Sequence, residues 1–301
     1  MKITRIPTRD SGSFNGGMVR TDEGLLMVYR RGTSPETLSS VYLDEQYKVR
    51  PDTYTDFDLH NNYDARLFFH GSQLFMSTTY GWLDSQSRFY QRNELWPLIK
   101  MDTKIVPAHD HRIFFESIIT NGVPAATAAH DKNWSPFSHD GALHFVQRIR
   151  PHRVVRVNFN SATATLAHET NWRDQGWGAR FGEEFRGNTP PVLLPDGRYL
   201  SVFHTVKYQG SASHYFTGFY TFDSRPPFRV LEISARPALT PEDATGTNVQ
   251  RKDRDVRGIF ICGLQVESGV VGLCGGDNDH SVILIRLPLE EVLSGLTPVG
   301  Q

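Results

Sequence analysis

Along this chain, apolar residues fall in short alternating runs broken by glycine-bearing polar turns, and one unit of this kind recurs five times. Each unit is an apolar run, a turn, and a second apolar strand ending in aromatic, polar or charged residues. The turns with their second strands read TDEGLLMVYRRG from Thr21, FHGSQLFMSTTYGW from Phe69, SHDGALHFVQRIRPH from Ser138, LPDGRYLSVFHTV from Leu194 and VESGVVGLCGGDND from Val266. The runs before the turns are Met18-Val19, Arg66-Leu67-Phe68, Trp134 to Phe137, Pro191-Val192-Leu193 and Ile259-Phe260-Ile261. Two such runs around a glycine turn predict a β-hairpin, and Asp140-Gly141 is a strong turn of this type. The turn glycines Gly24, Gly71, Gly141, Gly197 and Gly269 stand 47, 70, 56 and 72 residues apart. Mostly-β units of that size, repeated along a chain, predict propeller blades.

Strand patterns at 111–119, 153–159, 215–222 and 281–287 would supply outer strands of the blades. Helical periodicity is confined to 288–296, where Pro288 in a first turn, followed by Glu290 and Glu291, predicts a short helix. Residues 82–130 read as the main irregular insertion. The expected fold is therefore all-β: a five-bladed β-propeller forming one domain over 1–301, with a short C-terminal helix. A two-sheet sandwich is the rival architecture, but it would not require five similar hairpins.

Composition narrows the class. Thirty-two basic residues against 33 acidic ones give a formal charge of −1, so neither nucleic acid nor a membrane surface is an expected partner. The opening MKITRIPTRDSGSF lacks the apolar run of a signal peptide, and no segment approaches about 18 apolar residues. Cys262 and Cys274 lie among apolar or glycine neighbours and read as buried free thiols. A reducing, cytoplasmic setting is the expectation. The HDH at 109–111 lacks zinc-ligand spacing and no HExxH occurs, so neither metal nor cofactor is expected. Homo-oligomerisation is compatible with the sequence.

A propeller gathers one strand end from every blade around its axis, so residues remote in sequence meet there. The hairpin ends contribute Asn15 and Arg30; Tyr63, Asp64 and Arg66; Lys132 and Arg150; Arg186, His204 and Tyr215; Asp277 and Asp279. Lys132 and Arg150 open and close the third hairpin, so antiparallel pairing should set them side by side. Two fixed cations in one place call for an anion. With carboxylates at Asp64 and Asp279, the funnel suits a sugar plus an anion. Each residue also has a plainer reading. Asp64 could pair with Arg66 or cap a turn, and Lys132 and Arg150 could form a solvated blade edge. His204 could be a hydrogen-bonded core histidine, and the two aspartates could stabilise the GGDND turn. Glu183 and Glu184 could supply a general base.

In order and spacing these residues resemble the inverting five-bladed-propeller enzymes of glycoside hydrolase family 130, which comprises β-mannoside phosphorylases and their hydrolase relatives. The resemblance runs through all five hairpins and is weakest over 82–130. It implies sugar contacts at Asn15, Arg30, Tyr63, Arg66 and Asp279. Tyr63-Asp64-Ala65-Arg66 stands where the family carries YDPR or EDPR, which gives Asp64 the role of general acid, with Ala65 replacing the proline. It implies phosphate ligands at Lys132, Arg150, Arg186, His204 and Tyr215; Lys132 replaces a commoner Arg, keeping the charge but losing the bidentate fork. KNWSPF and RPPF are not typical of the best-known phosphorylases and mark an outlying branch.

The chemistry agrees with this resemblance. An inverting glycosidase needs two carboxylates about 6.5–9.5 Å apart, one to protonate the leaving oxygen and one to activate water. A phosphorylase needs the acid alone, plus cations that hold the phosphate dianion for attack. In the family the acid is thought to act through a sugar hydroxyl. The expected partners are a β-mannoside and inorganic phosphate as co-substrate, with α-mannose 1-phosphate as product. Hydrolysis, mannosyl transfer in reverse, and glycan binding without catalysis are the alternatives.

Overall fold

All five predicted hairpins form, and each seeds its own sheet. The computed structural model describes residues 1–300 apart from 33–36, 116, 121–122, 127–131, 246–249 and 252–253. The first blade is Phe14–Thr21, Gly24–Arg30, Leu38–Leu43 and Thr55–Phe57. The second is Asn62–His70, Gln73–Leu83 and Phe89–Met101, edged by Ile113–Phe114 and Lys104–Pro107. The third runs Ser135–His139, Ala142–Arg148, His152–Asn158 and Thr163–Thr170, with Ser117–Thr120 and Val123–Ala126 outside. In the fourth, Arg186–Gly187 and Val192–Leu193 pair with Arg198–Gln209, followed by Ala212–Asp223, Val230–Ser234 and Leu296–Pro298. The fifth is Ile259–Glu267, Val270–Asp277 and Ser281–Pro288, and its outer strand is Lys2–Arg5 from the other end of the chain. The N-terminal strand thus closes the ring on the last blade. The chain is a five-bladed β-propeller.

Alternation explains why these strands are apolar on both faces. In Gly24–Arg30, Leu25, Met27 and Tyr29 pack with Cys274, Val282 and Leu284 of the fifth blade. The intervening Leu26 and Val28 pack with Leu67 and Met76 of the second. Period-two side chains therefore serve one neighbouring blade on each face. The other three seams are similar: Phe68 and Phe75 with Trp134 and Phe145, Phe137 and Val154 with Phe203 and Phe222, and Val202 and Phe219 with Ile261 and Val271. Burying one such side chain contributes roughly 1.5–3 kcal/mol, against about 0–1 kcal/mol for an exposed ion pair such as Arg20 with Glu45. The seams, not the surface arginines, hold the ring.

The turn glycines all have positive φ, from 59° at Gly71 to 131° at Gly24. A Cβ at Gly71, Gly141, Gly197 or Gly269 would meet nothing within 4 Å, so these four turns demand the conformation and not the space.

Three elements differ from the sequence reading. Within 82–130, expected to be irregular, Phe89–Met101 is a thirteen-residue strand. Its Pro97 sits where the outer partner switches from Ile113–Phe114 to Lys104–Pro107, so the residue lacking an N–H falls at a break in the outer ladder. The strand expected at 111–119 is instead a 3-10 turn at His109–His111 followed by two short strands. A five-residue helix, Trp177–Phe181, was not foreseen. The C-terminal helix forms over Leu289–Ser294 with Pro288 as its N-cap. Both cysteines are free and buried. Among the described residues no helix is long and apolar enough to cross a membrane.

Candidate functional site

The first strands of most neighbouring hairpins touch around the axis. Gly17 shows how closely: a Cβ there would lie 2.1 Å from the Ala65 carbonyl oxygen of the second blade. At this point the ladders of both blades slip, between Phe14 and Gly17 and between Tyr63 and Arg66. Each slip is a β-bulge that re-aims one polar side chain. Asn15 has φ 51° and Asp64 φ 56°, and Asn133, just before the first strand of the third blade, has φ 66°. Asn and Asp tolerate this left-handed region better than most residues.

The bulges bring two side chains together. Asn15 Nδ2 donates to Asp64 Oδ1 at 2.8 Å, with the residues only 4% and 7% exposed. Both line a cavity of about 290 Å³. Arg30, Tyr63 and Asp279 line the same side, and Lys132, Arg186, His204 and Tyr215 enter from the third and fourth blades. The Arg30 guanidinium lies between the rings of Phe14 and Tyr63, 4.7 and 4.9 Å from their centroids, which fixes a long side chain by cation–π contact. The Tyr63 hydroxyl accepts from Gln91 Nε2 at 2.9 Å.

His204 is buried against Tyr215, stacked at 5.5 Å, and against the Phe260 edge at 5.0 Å. Burial first, and then the positive charges of Arg186, Lys132 and Arg66, hold its pKa well below the usual histidine value. The ring is therefore neutral. Its Nδ1 meets Asn188 Oδ1, an acceptor, so Nδ1 carries the hydrogen and Nε2 is left with a lone pair.

Of the residues expected at the site, Arg66 and Arg150 do not line the cavity. Arg66 is 0% exposed and lies beside it, donating to three oxygens of the protein. Arg150 falls in the turn between Ala142–Arg148 and His152–Asn158, beyond a register slip at Val146 to Arg148. It binds Asp174 at 2.8 Å and Glu183 at 3.2 Å, its guanidinium 5.0 Å from the Phe185 ring. Glu184 pairs with Arg186 at 2.7 Å, and neither Glu183 nor Glu184 lines the cavity. Asp277 is buried and pairs with Arg5 of the closing strand at 3.4 Å. Among the described residues no group of three or more His, Cys, Asp or Glu is arranged to hold a metal ion.

Residues at the site that were not singled out in the sequence include Gln91, Asn133, Asn188 and Phe260. Asn133 had a usable signal, because Asn15, Asp64 and Asn133 stand seven to nine residues before their turn glycines.

Residues 2–297 match the model of a glycoside hydrolase family described as beta-1,4-mannooligosaccharide phosphorylase. Among solved structures, the fold is similar to a beta-1,2-mannobiose phosphorylase from Listeria innocua, in complex with beta-1,2-mannobiose. That likeness has a TM-score of 0.59 at 13% identity and covers 98% of this chain and 99% of the other. A mannose phosphorylase from Leishmania mexicana, in complex with phosphate ion, gives a TM-score of 0.59 at 12% identity, covering 100% and 92%. A 74-residue stretch is 35% identical to Beta-mannosyltransferase 1 of Komagataella phaffii, 22% of this chain and 11% of that protein's length.

Proposed function

The chain belongs to glycoside hydrolase family 130, and from that premise we propose that it cleaves a β-mannoside by phosphorolysis, with inversion, to give α-mannose 1-phosphate. One observation carries this reading. Lys132, Arg186, His204 and Tyr215 share a cavity with Asp64, while Glu183 and Glu184, the candidate bases for water, are held in ion pairs outside its lining.

In this reading Asn15, Arg30, Tyr63 and Asp279 hold the mannosyl unit. Asp64 supplies the proton to the leaving oxygen, relayed through a sugar hydroxyl as the family resemblance implies. Inorganic phosphate attacks the anomeric carbon from the opposite face; its new C–O bond forms as the glycosidic C–O bond breaks. Lys132 and Arg186 hold the dianion, already desolvated and oriented, where its charge is needed. The neutral His204, with its lone pair at Nε2, can accept from a P–O–H group, so hydrogenphosphate suits the site. Two buried free thiols favour a reducing, cytoplasmic setting.

The same site run backwards transfers mannose from α-mannose 1-phosphate to an acceptor, and the short match to a β-mannosyltransferase favours keeping that direction in view. A crystal soaked with phosphate and mannose tests the assignment. An anion between Lys132 and Arg186, facing a sugar beside Asp64, is expected. A sugar bound away from Asp64, or an anion bound elsewhere, would contradict it.

A further inference from the structure

We propose that Arg66 is a positioning residue, a buried guanidinium that locks the acid-bearing bulge of the second blade to the anion-facing ends of the third and fourth. The names of those two halves rest on the phosphorolytic reading. The contacts are these. Arg66 Nη1 donates to the backbone oxygen of Asp64 at 2.9 Å, and Nη2 to Asn133 Oδ1 at 3.0 Å. Its Nε donates to the backbone oxygen of Asn188. Asn133 is the neighbour of Lys132, and the Asn188 amide oxygen holds the His204 ring. One planar group therefore touches the acid's own peptide, the residue beside one cation, and the residue that sets the histidine.

The bulge makes this possible. In a regular strand Asp64 and Arg66 would share a face. The extra residue between Tyr63 and Arg66 separates them, so Asp64 faces the cavity and Arg66 passes out of its lining. All three acceptors are neutral oxygens, so the cation is not cancelled by a direct ion pair. Burial lowers its pKa, and the nearby Cys262 and Asp64 oppose that shift. A buried cation persists only where hydrogen bonds compensate its lost hydration. A packing role alone would be met by Met or Leu. A lysine would keep the charge but lacks the rigid fork that reaches three separate acceptors.

The test uses purified Arg66→Lys and Arg66→Met, with thermal unfolding to confirm the fold, and steady-state kinetics varying the β-mannoside and inorganic phosphate separately. Asn133→Ser, which removes one acceptor and leaves Arg66 in place, covers the case in which Arg66 variants do not fold. For Arg66→Lys we expect kcat to fall about 10²-fold, since a misplacement near 1 Å can cost that much, with KM for the mannoside within about threefold of wild type. KM for phosphate should rise, because Asn133 and Asn188 lose their anchor. Asn133→Ser should fall the same way by a smaller factor. A mannoside whose leaving group needs no proton should lose less. A raised mannoside KM at unchanged kcat would make Arg66 a sugar ligand instead, and unchanged kinetics in a folded variant would remove it from the mechanism. If wild type releases free mannose without phosphate, phosphorolysis fails, yet the split between kcat and mannoside KM still decides the role of Arg66.

Discussion

The side-chain amide of Asn15 donates to the Asp64 carboxylate at 2.8 Å across the seam between the first and second blades. Both residues sit at bulges, both have left-handed φ, and each is nine-tenths or more buried. The bond commits Oδ1 of Asp64 to the protein, so that in the proposed reading Oδ2 is the oxygen that carries the proton. A polar atom of one blade thus orients the carboxylate of the next, and in the proposed reading the placing of the acid depends on that seam staying closed.

Replacing Asp64 by Asn keeps the volume and removes the acid. General acid catalysis typically contributes about 10²–10⁴-fold, and the turnover of Asp64→Asn on unactivated mannosides should fall by that order with the melting temperature nearly unchanged. Wild-type turnover in this variant would take Asp64 out of the mechanism.

Gly276 tests the seam from the other side. A Cβ there would lie 2.2 Å from Asn15 Oδ1 and 2.7 Å from the Asn15 backbone nitrogen. Gly276→Ala should displace Asn15, costing about 1–3 kcal/mol of stability as overpacking does, and should lower kcat as well. Gly269→Ala is the control: its Cβ would meet nothing, but its φ is 75°. Backbone strain there should lower the melting temperature and leave kcat alone. Equal kinetic losses in both variants would deny Asn15 a role in placing the acid.

The cations separate by position. A hydrogen bond to a charged group contributes about 1.5–3 kcal/mol, so Lys132→Ala or Arg186→Ala should raise KM for phosphate roughly 10- to 150-fold. Arg150 is 30% exposed at its side chain and already paired with Asp174 and Glu183. Arg150→Ala should shift stability by no more than about 1 kcal/mol and leave phosphate KM near wild type. The reverse order, tested by phosphate titration of all three, would put the anion at Arg150.

Stability should fall on acidification. Burial pushes both His144 and His152 down to about 4, and lowers His204, His168 and His70 in the same direction. A histidine with a depressed native pKa is protonated first in the unfolded chain, so its contribution is complete above about pH 6.5 and is lost as pH falls from there towards 4. His152, fully buried, should withdraw about 2 kcal/mol by pH 5, and His144, less enclosed, a smaller amount. Melting temperatures at pH 7 and pH 5 check this, and a flat profile would contradict the burial of these rings.

The hairpins, their number and most of the cavity were legible because they rest on period-two alternation and on glycines that only turns explain. The family resemblance of Tyr63-Asp64-Ala65-Arg66 singled out Asp64, which lines the cavity. Arg66 was read as a sugar contact from the family resemblance; the bulge that separates it from Asp64 leaves no mark in the sequence. Arg150 was set at the anion site by counting along an ideal hairpin; it falls in the turn after Ala142–Arg148, where it pairs with Asp174 outside the cavity lining. Asn188 holds His204 and Gln91 donates to Tyr63, and nothing in their own sequence neighbourhoods announced them. The closing strand Lys2–Arg5 depends on a partner more than 270 residues away.

Phosphate dependence of mannoside cleavage tests the central claim most directly. With purified protein and a β-mannoside, product should be negligible in phosphate-free buffer and should saturate as phosphate is added, with α-mannose 1-phosphate as the product. Arsenate should substitute as the nucleophile. Free mannose released at one rate with and without phosphate would make water the nucleophile, and Lys132 and Arg186 would then be contacts for an anionic or branched substrate.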